Sequence, residues 1–471
     1  MILDDLIATY AREDRGITHL LAAREGEIVA EWYRPHCSRS SKHMLHSATK
    51  SFVGTGIGMA MEEGILSMDD KLFDFLTDEQ KTVAVPGAEQ LTLTHLLTMR
   101  TGHREGTSGV VWRNLKTSWI EAYLQAPITG TPGKDFMYSS GTSHMLSMIL
   151  QKSTGLPIDE YLRPRLFEPM GLSDFTWDKD PDGICSGGNG LTLDVLDFLK
   201  WGQLYLNKGR WNGQQLVPEH WVLDSMKRHV DVGSLVWTGE GFGLDGSTKP
   251  GEGEGYGYQI WNQPGGSYAS GIFGQYCVVI PETNTVIAVF SSMTSKESGP
   301  LSYDLIAAGR NKEFTSFEAP LCTTLDLESA QTPVSIAAAQ FTGTFESIDG
   351  NTSLSFEIVS TSNGPALRAS GTDEAGHVDF TAGIGFTQSY MGRLEAPSLH
   401  HSYVQDTQVL ATATHVGPWS FEVEVSYPVT PFEDHFSFVL ATDGALQYKR
   451  HVNVNSQGTG LPSTVLHRVS R

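Results

Sequence analysis

The chain is poor in positive charge and in cysteine. Its 471 residues include 33 Lys and Arg against 54 Asp and Glu, giving a formal net charge of −21. Nucleic acids and anionic membranes would repel such a surface, so neither is expected as a partner. The cysteines show no C-x-x-C pair and no histidine at zinc-finger spacing; they are Cys37, Cys185, Cys277 and Cys322. We therefore expect no disulfide framework and no structural metal.

Long apolar runs are also missing. No stretch reaches the length of a transmembrane helix. The acidic, amphipathic residues 1–14 have neither the basic start nor the apolar centre of a signal peptide. The expected location is the cytoplasm. The hydrophobic content of 39% is typical of a folded protein, and the length predicts two or three domains.

Two regions of the chain differ in their pattern of apolar, polar and turn-forming residues. In residues 1–317, helical and strand patterns alternate, which predicts an α/β domain with one sheet packed against helices. Residues 318–335 have prolines and threonines without a clear period, and we expect a linker there. In residues 336–471, short alternating strands separated by turn residues predict an all-β domain, either a sandwich or a barrel.

Several local elements can be predicted in the first region. Residues 17–33 are expected to form two strands joined by a turn at Glu25-Gly26, and residues 47–63 a buried helix. Residues 193–207 are expected to form a helix capped by Thr192. Residues 256–262 are expected to form one strand.

The strongest chemical signal is Ser47-Ala48-Thr49-Lys50 at the start of the predicted buried helix. Positions i and i+3 share a helix face, so the Ser47 hydroxyl and the Lys50 amine can meet. A serine hydroxyl is a weak nucleophile until a base takes its proton, and a lysine amine can act as that base. Because such a motif also arises by chance, it needs support from elsewhere in the chain.

Two further segments give that support. Tyr138-Ser139-Ser140 opens another predicted helix, and a tyrosine there could relay a proton to a leaving group. The segment from Ser270 to Gln275 leads into a strand, and its glycines permit close backbone approach. A backbone N–H in this segment, together with that of Ser47, could stabilise an oxyanion. Taken singly, each segment is also compatible with ordinary structure, a buried tyrosine and a bulged edge strand.

In their order and spacing these segments resemble the serine β-lactamase and penicillin-binding-protein superfamily. The similarity is greatest to its class C-like branch of esterases, amide hydrolases and acyltransferases, and it covers about residues 15–310. The motifs that carry it are Ser47-x-x-Lys50, Tyr138-x-Ser140 and Gly271-x-x-Gly274-Gln275. The resemblance implies a sheet flanked by helices and packed beside an all-helical lobe, with the site between them.

The resemblance also implies roles for individual residues. Ser47 would be the acylated nucleophile, Lys50 its base and Tyr138 the proton relay. The backbone N–H groups of Ser47 and Gln275 would form the oxyanion hole. Substrate contacts are expected from the remaining motif residues and from a tryptophan near the cleft; these are Ser140, Gly271, Ile272, Phe273, Gly274 and Trp261. Core packing is the competing interpretation of Trp261. Neither a metal nor a cofactor is implied.

Two departures from the family pattern narrow the substrate. The second motif usually ends in asparagine, where this chain has Ser140, which offers fewer hydrogen bonds. The third motif usually carries a lysine or histidine, where this chain has Ile272. Without that cation, a substrate carboxylate loses a partner, so a neutral, apolar acyl group is expected.

Three functions remain open at this point. The first is a serine hydrolase that cleaves a small-molecule ester or amide. The second is an acyltransferase of the same fold, which passes the acyl group to a small alcohol or amine. The third is a catalytically inactive binding protein, which the departures at Ser140 and Ile272 allow. The sequence leaves a homo-oligomer open as well.

Overall fold

The computed structural model divides into two compact units, Met1–Cys322 and Thr323–Arg471. It describes residues 5–6, 9–10, 16–34, 37–106, 115–232, 235–237, 242–244, 254–311, 340–374, 376–392, 407–417, 419–455 and 458–469. The predicted linker, residues 318–335, lies outside the described residues, and the domain boundaries at residues 317 and 336 stay predictions.

The first unit contains a large antiparallel sheet, two short hairpins and a small three-stranded sheet. Its strands are β1 (Ile17–Arg24), β2 (Glu27–Tyr33), β3 (Lys42–Met44), β4 (Thr176–Trp177), β5 (Leu191–Asp194), β6 (Arg210–Trp211), β7 (Gln214–Gln215), β8 (Val230–Asp231), β9 (Leu235–Trp237), β10 (Phe242–Leu244), β11 (Gly255–Tyr256), β12 (Trp261–Gln263), β13 (Gly266–Gly271), β14 (Gln275–Ile280) and β15 (Thr285–Ser291).

Helices lie between these strands and after β15. They are α1 (Thr49–Glu62), α2 (Asp78–Val83), α3 (Leu93–Leu97), α4 (Trp119–Leu124), α5 (Ser140–Thr154), α6 (Ile158–Leu162), α7 (Glu168–Met170), α8 (Val195–Leu206), α9 (Glu219–Ser225) and α10 (Ser295–Arg310). No helix among the described residues is both long and apolar enough to span a lipid bilayer.

The large sheet has the strand order β2-β1-β15-β14-β13-β12-β11-β8, and its pairings are antiparallel. Both faces are covered. Alternate residues such as Leu21 and Phe290 face a core shared with α1 and α8, whereas Leu20 and Val289 face α10. Because side chains alternate along a strand, sheets covered on both faces have strands that are apolar throughout. The predicted α/β architecture is confirmed.

The first hairpin follows its sequence signal. Strands β1 and β2 pair, and the turn residues Glu25 and Gly26 have φ values of 53° and 87°. Positive φ at both positions is the requirement of a type I′ turn, which suits the twist of a hairpin.

Two local predictions are wrong. Residues 191–194 form strand β5, which pairs with β3 and β4, so Thr192 does not cap a helix. Asp194 caps α8 instead, because its short carboxylate accepts the backbone N–H of Asp197 at 2.8 Å. Residues 256–262 are not one strand, since the backbone turns between β11 and β12.

The second unit is a closed barrel of β-strands. These are β16 (Gly343–Ser347), β17 (Ser353–Thr361), β18 (Gly364–Asp373), β19 (Gly376–Ile384), β20 (Gln388–Gly392), β21 (Thr407–Gly417), β22 (Ser420–Ser426), β23 (Glu433–Leu440), β24 (Leu446–Val452) and β25 (Thr464–Arg468).

Closure of this barrel comes from one parallel pairing. The order β19-β18-β17-β16-β25-β24-β23-β22-β21 returns to β19 through Gly383↔Thr412 and Ile384↔Ala413, and β20 pairs with β21 outside this ring. Inside, Arg450 is buried between the carboxylates of Asp373 and Asp434. The predicted all-β class is confirmed, and of the two alternatives the barrel is the one formed.

Candidate active site

The predicted nucleophile lies at the junction of a turn and a helix. Ser47 is half-buried in a short 3₁₀ turn, His46–Ala48, which leads directly into α1. Lys50, in the first turn of α1, is only 1% exposed. Its Nζ lies 2.8 Å from the Ser47 Oγ. The hydroxyl therefore has a buried amine within hydrogen-bonding distance and retains partial access to solvent.

Two more oxygen atoms contact the Lys50 amine. Lys50 Nζ donates to the Ser140 Oγ at 3.1 Å and to the Gly188 carbonyl at 2.7 Å. Ser140 is the first residue of α5, and Gly188 lies in the loop before β5. A neutral amine has two N–H donors and one lone pair. A neutral Lys50 that donates to Ser140 and Gly188 would therefore direct its lone pair at the Ser47 hydroxyl.

The ring of Tyr138 also lies against the Lys50 amine. Lys50 Nζ is 4.8 Å from the centre of the Tyr138 ring, and this tyrosine is 5% exposed. The Tyr138 ring packs against Trp261, with centroids 5.1 Å apart, and against Tyr256 at 6.0 Å. Burial, followed by the nearby Tyr138, raises the pKa of Tyr256 well above its ordinary value. The Tyr256 hydroxyl is therefore uncharged at neutral pH, and its ring forms part of the surface that packs against Tyr138.

The third motif forms a tight connection between two strands. Gly271 ends β13, and a Cβ at this position would lie 2.2 Å from the Leu45 carbonyl oxygen. Because only glycine permits this approach, the turn that follows lies beside the segment carrying Ser47. Ile272 is the half-buried member of the motif, while Gly271, Phe273, Gly274 and Gln275 are buried.

Two buried members of this turn have extensive packing of their own. The Phe273 ring lies edge-on to His46 at 5.5 Å and is 1% exposed. The Gln275 side chain donates to the carbonyls of Ile272 and Ser291, at 3.2 and 2.8 Å. These contacts fix the turn against the sheet. The predicted roles of Phe273 in substrate binding and of the Gln275 N–H in the oxyanion hole stay predictions.

Sequence reasoning missed two groups at this site. The Gly188 carbonyl is a backbone atom, and a backbone acceptor has no residue-type signal. The sequence signal at this place is the cluster Gly187-Gly188-Asn189-Gly190, whose glycines permit close packing. The pattern around Tyr256 predicts only a strand and gives no sign of its contact with Tyr138.

Asp178 lies against Gly190, in the loop that carries Gly188, and its buried carboxyl can be tested by its effect on stability. Its carboxyl is buried, and its Oδ2 has no hydrogen-bond partner among the residues that the structure describes. Burial raises the pKa of this carboxyl from 3.8 to about 7. The folded chain thus binds a proton that the unfolded chain has released, so this carboxyl lowers stability increasingly between pH 4 and 7.

We expect Asp178→Asn to raise the urea midpoint at pH 8. The gain in unfolding free energy should exceed that at pH 5 by about 2 kcal/mol. Urea unfolding of both proteins at the two pH values measures it. The exposed Asp69→Asn is the control, and an equal gain at both pH values would show that Asp178 is not the titrating group.

Comparison with known proteins identifies a family whose members resemble this chain. The Beta-lactamase family model matches residues 3–310. The chain is 25% identical over 289 residues to the 6-aminohexanoate-dimer hydrolase of Paenarthrobacter ureafaciens, covering 58% of this chain and 71% of that protein. Several other curated relatives match across 37–52% of their own length.

Solved structures share the fold. EstCE1, described as a hydrolase with promiscuous acyltransferase activity, superposes with a TM-score of 0.52 and 16% identity, over 65% of this chain and 97% of its own. An octameric penicillin-binding-protein homologue from Pyrococcus abyssi has a TM-score of 0.50 and 16% identity, over 98% of this chain and 99% of its own. The second likeness extends through the barrel unit.

Proposed function

Because this chain belongs to the Beta-lactamase family, we propose that it is a serine hydrolase that cleaves a neutral ester or amide through an acyl-enzyme on Ser47. The observation that carries the proposal is the Lys50 amine, buried and 2.8 Å from the Ser47 Oγ. In its neutral form this amine would donate to Ser140 and Gly188 and direct its lone pair at the serine proton.

In the proposed reaction, the Ser47 Oγ attacks the substrate carbonyl carbon while its proton passes to the Lys50 Nζ. The N–H groups of Ser47 and Gln275 would stabilise the oxyanion that forms. Collapse of this intermediate breaks the bond to the leaving group, which takes a proton from the Tyr138 hydroxyl, and Lys50 returns a proton to Tyr138. Water then attacks the acyl-enzyme, with the same groups working in reverse.

The substrate class follows from the surroundings of Ser47. The half-buried Ile272 occupies the position where family members carry a cation, and the rings of Tyr138, Tyr256 and Trp261 pack together nearby. A substrate carboxylate would lose hydration there without gaining a charged partner. An uncharged acyl group is therefore favoured. A relative named for hydrolysis of the 6-aminohexanoate dimer supports including amides among the candidates.

A matched pair of esters tests this preference. We expect kcat/KM for p-nitrophenyl butyrate to exceed that for p-nitrophenyl hemisuccinate by roughly tenfold or more, since only the second acyl chain ends in a carboxylate. Ile272→Lys should narrow this ratio by supplying a cation. Equal rates for both esters in the wild-type protein would contradict the proposed substrate class.

Acyl transfer is the second candidate, favoured by the partly accessible Ser47 and by the described activity of EstCE1. Hydrolysis and transfer share the acyl-enzyme and differ in the group that removes it. Product analysis with increasing 1-butanol separates them. Butyl ester formation without any free acid would contradict the hydrolase proposal.

A further inference from the structure

The loop that supplies the Gly188 carbonyl is packed directly on helix α5. A Cβ at Gly187 would lie 2.2 Å from the Ser143 carbonyl oxygen, and one at Gly188 would lie 2.6 Å from the Ser140 Cβ. Any larger residue at either position would push the loop away from the helix. The distance between the Gly188 carbonyl and Lys50 is therefore set by how this loop sits on α5.

His144 joins the same loop to a buried carboxylate. On α5, the His144 Nε2 lies 2.9 Å from the Asp180 Oδ2, and both side chains are completely buried. The backbone N–H of Gly187 donates to the His144 Nδ1 at 3.4 Å. Since Nδ1 accepts, Nε2 must carry the hydrogen and donate it to Asp180. The imidazole thus connects Asp180 with the residue immediately before Gly188.

Asp180 is itself held in place by backbone groups. Its Oδ1 accepts the N–H groups of Asp182 at 2.9 Å and of Ile184 at 2.8 Å. Both oxygens of this carboxylate therefore have donors. A carboxylate fixed in this way fixes the tautomer and the orientation of the histidine that it contacts.

We propose that His144, oriented by Asp180, is a positioning residue that keeps the Gly188 carbonyl on the Lys50 amine. It touches neither the substrate nor Ser47 in this role and acts through the Gly187 N–H. The inference rests on the proposed function, because the position of Gly188 matters for turnover only if Lys50 is the base. It assigns a functional task to a buried pair that would otherwise be part of the core.

Two amide variants separate the hydrogen bond of His144 to Asp180 from its hydrogen bond to Gly187. In His144→Asn, the amide oxygen can replace Nδ1 as the acceptor for Gly187, whereas the bond to Asp180 is lost. In His144→Gln, the longer amide can replace Nε2 as the donor to Asp180, whereas the Gly187 acceptor is lost. We expect His144→Gln to lower kcat for p-nitrophenyl butyrate by about 10- to 100-fold with little change in KM, and His144→Asn to keep most of kcat.

Ser147→Ala is the matched control. Ser147 lies further along the same helix and holds the same chain segment through the Cys185 carbonyl, at 2.8 Å. It should leave kcat unchanged. Equal losses in all three variants would indicate a structural role and overturn the inference, as would an unchanged kcat in His144→Gln.

A crystal structure of His144→Gln tests the positioning without relying on activity. We expect the distance from the Gly188 carbonyl to the Lys50 Nζ, 2.7 Å in the parent chain, to lengthen beyond hydrogen-bonding range. An unchanged contact would overturn the inference whatever the rates. By contrast, ester turnover that persists in Ser47→Ala would overturn the proposed function. The predicted lengthening of the Gly188–Lys50 contact in His144→Gln would still be decided by the crystal structure alone.

Discussion

Ser47→Ala is expected to abolish both turnover and covalent labelling. The reaction proposed here forms a bond between the substrate carbonyl carbon and the Ser47 Oγ, and alanine has no oxygen at that position. We expect kcat for p-nitrophenyl butyrate to fall by roughly 10⁴-fold or more, as happens when a catalytic serine is removed. A fluorophosphonate probe, followed by intact mass, should add one adduct to the wild-type chain and none to the variant.

A neighbouring serine supplies the control. Ser51 lies one turn further along the chain, in α1; it is buried and donates to the Gln259 carbonyl at 2.8 Å. Ser51→Ala should keep the adduct and most of the rate. An adduct that persists in Ser47→Ala would assign the nucleophile to another residue. A wild-type chain that accepts no probe and turns over no ester would favour the inactive binding protein.

Lys50→Met is expected to have the second-largest effect. Methionine fills similar space but has no nitrogen to accept the Ser47 proton, so we expect kcat/KM to fall by roughly 10²- to 10⁴-fold. The rate of fluorophosphonate labelling should fall in parallel, because the same proton must leave Ser47 during that reaction. Stopped-flow measurement of the first turnover shows whether acylation is the step that slows.

Lys50→Arg distinguishes a base from a positive charge. An arginine keeps a cation and hydrogen-bond donors near Ser47, but it cannot be deprotonated in a protein and so cannot act as the base. We expect it to be as slow as Lys50→Met. An arginine variant with near-normal turnover would mean that Lys50 acts through its charge, and the proposed proton transfer would be incorrect.

Much of the fold could be predicted because its signals are local. The turn at Glu25-Gly26 needs only two residues that accept positive φ, and the two regions differ in the spacing of their apolar residues. The errors arose where a long-range contact outweighed a local preference. Thr192 is an acceptable helix cap, yet it lies in β5, because pairing with β3 and β4 extends the strand to Asp194.

The barrel is a second case in which a long-range contact decided what local sequence patterns could not. Alternating apolar residues predict strands but not their partners, so sandwich and barrel remain equivalent in sequence. The parallel contact of β19 with β21 selects the barrel, and it involves backbone groups that have no residue-type signature.

What the sequence by itself determined is the pair Ser47 and Lys50, since i, i+3 spacing across the 3₁₀ turn and the first turn of α1 brings the two side chains together without help from the rest of the chain. Only the tertiary structure decided how the amine is directed. Two further partners of the amine, the Ser140 hydroxyl and the Gly188 carbonyl, are 90 and 138 positions away along the chain. Such distant contacts depend on how α5 and its neighbouring loop pack against α1, and close packing is decided by the shape of the whole core.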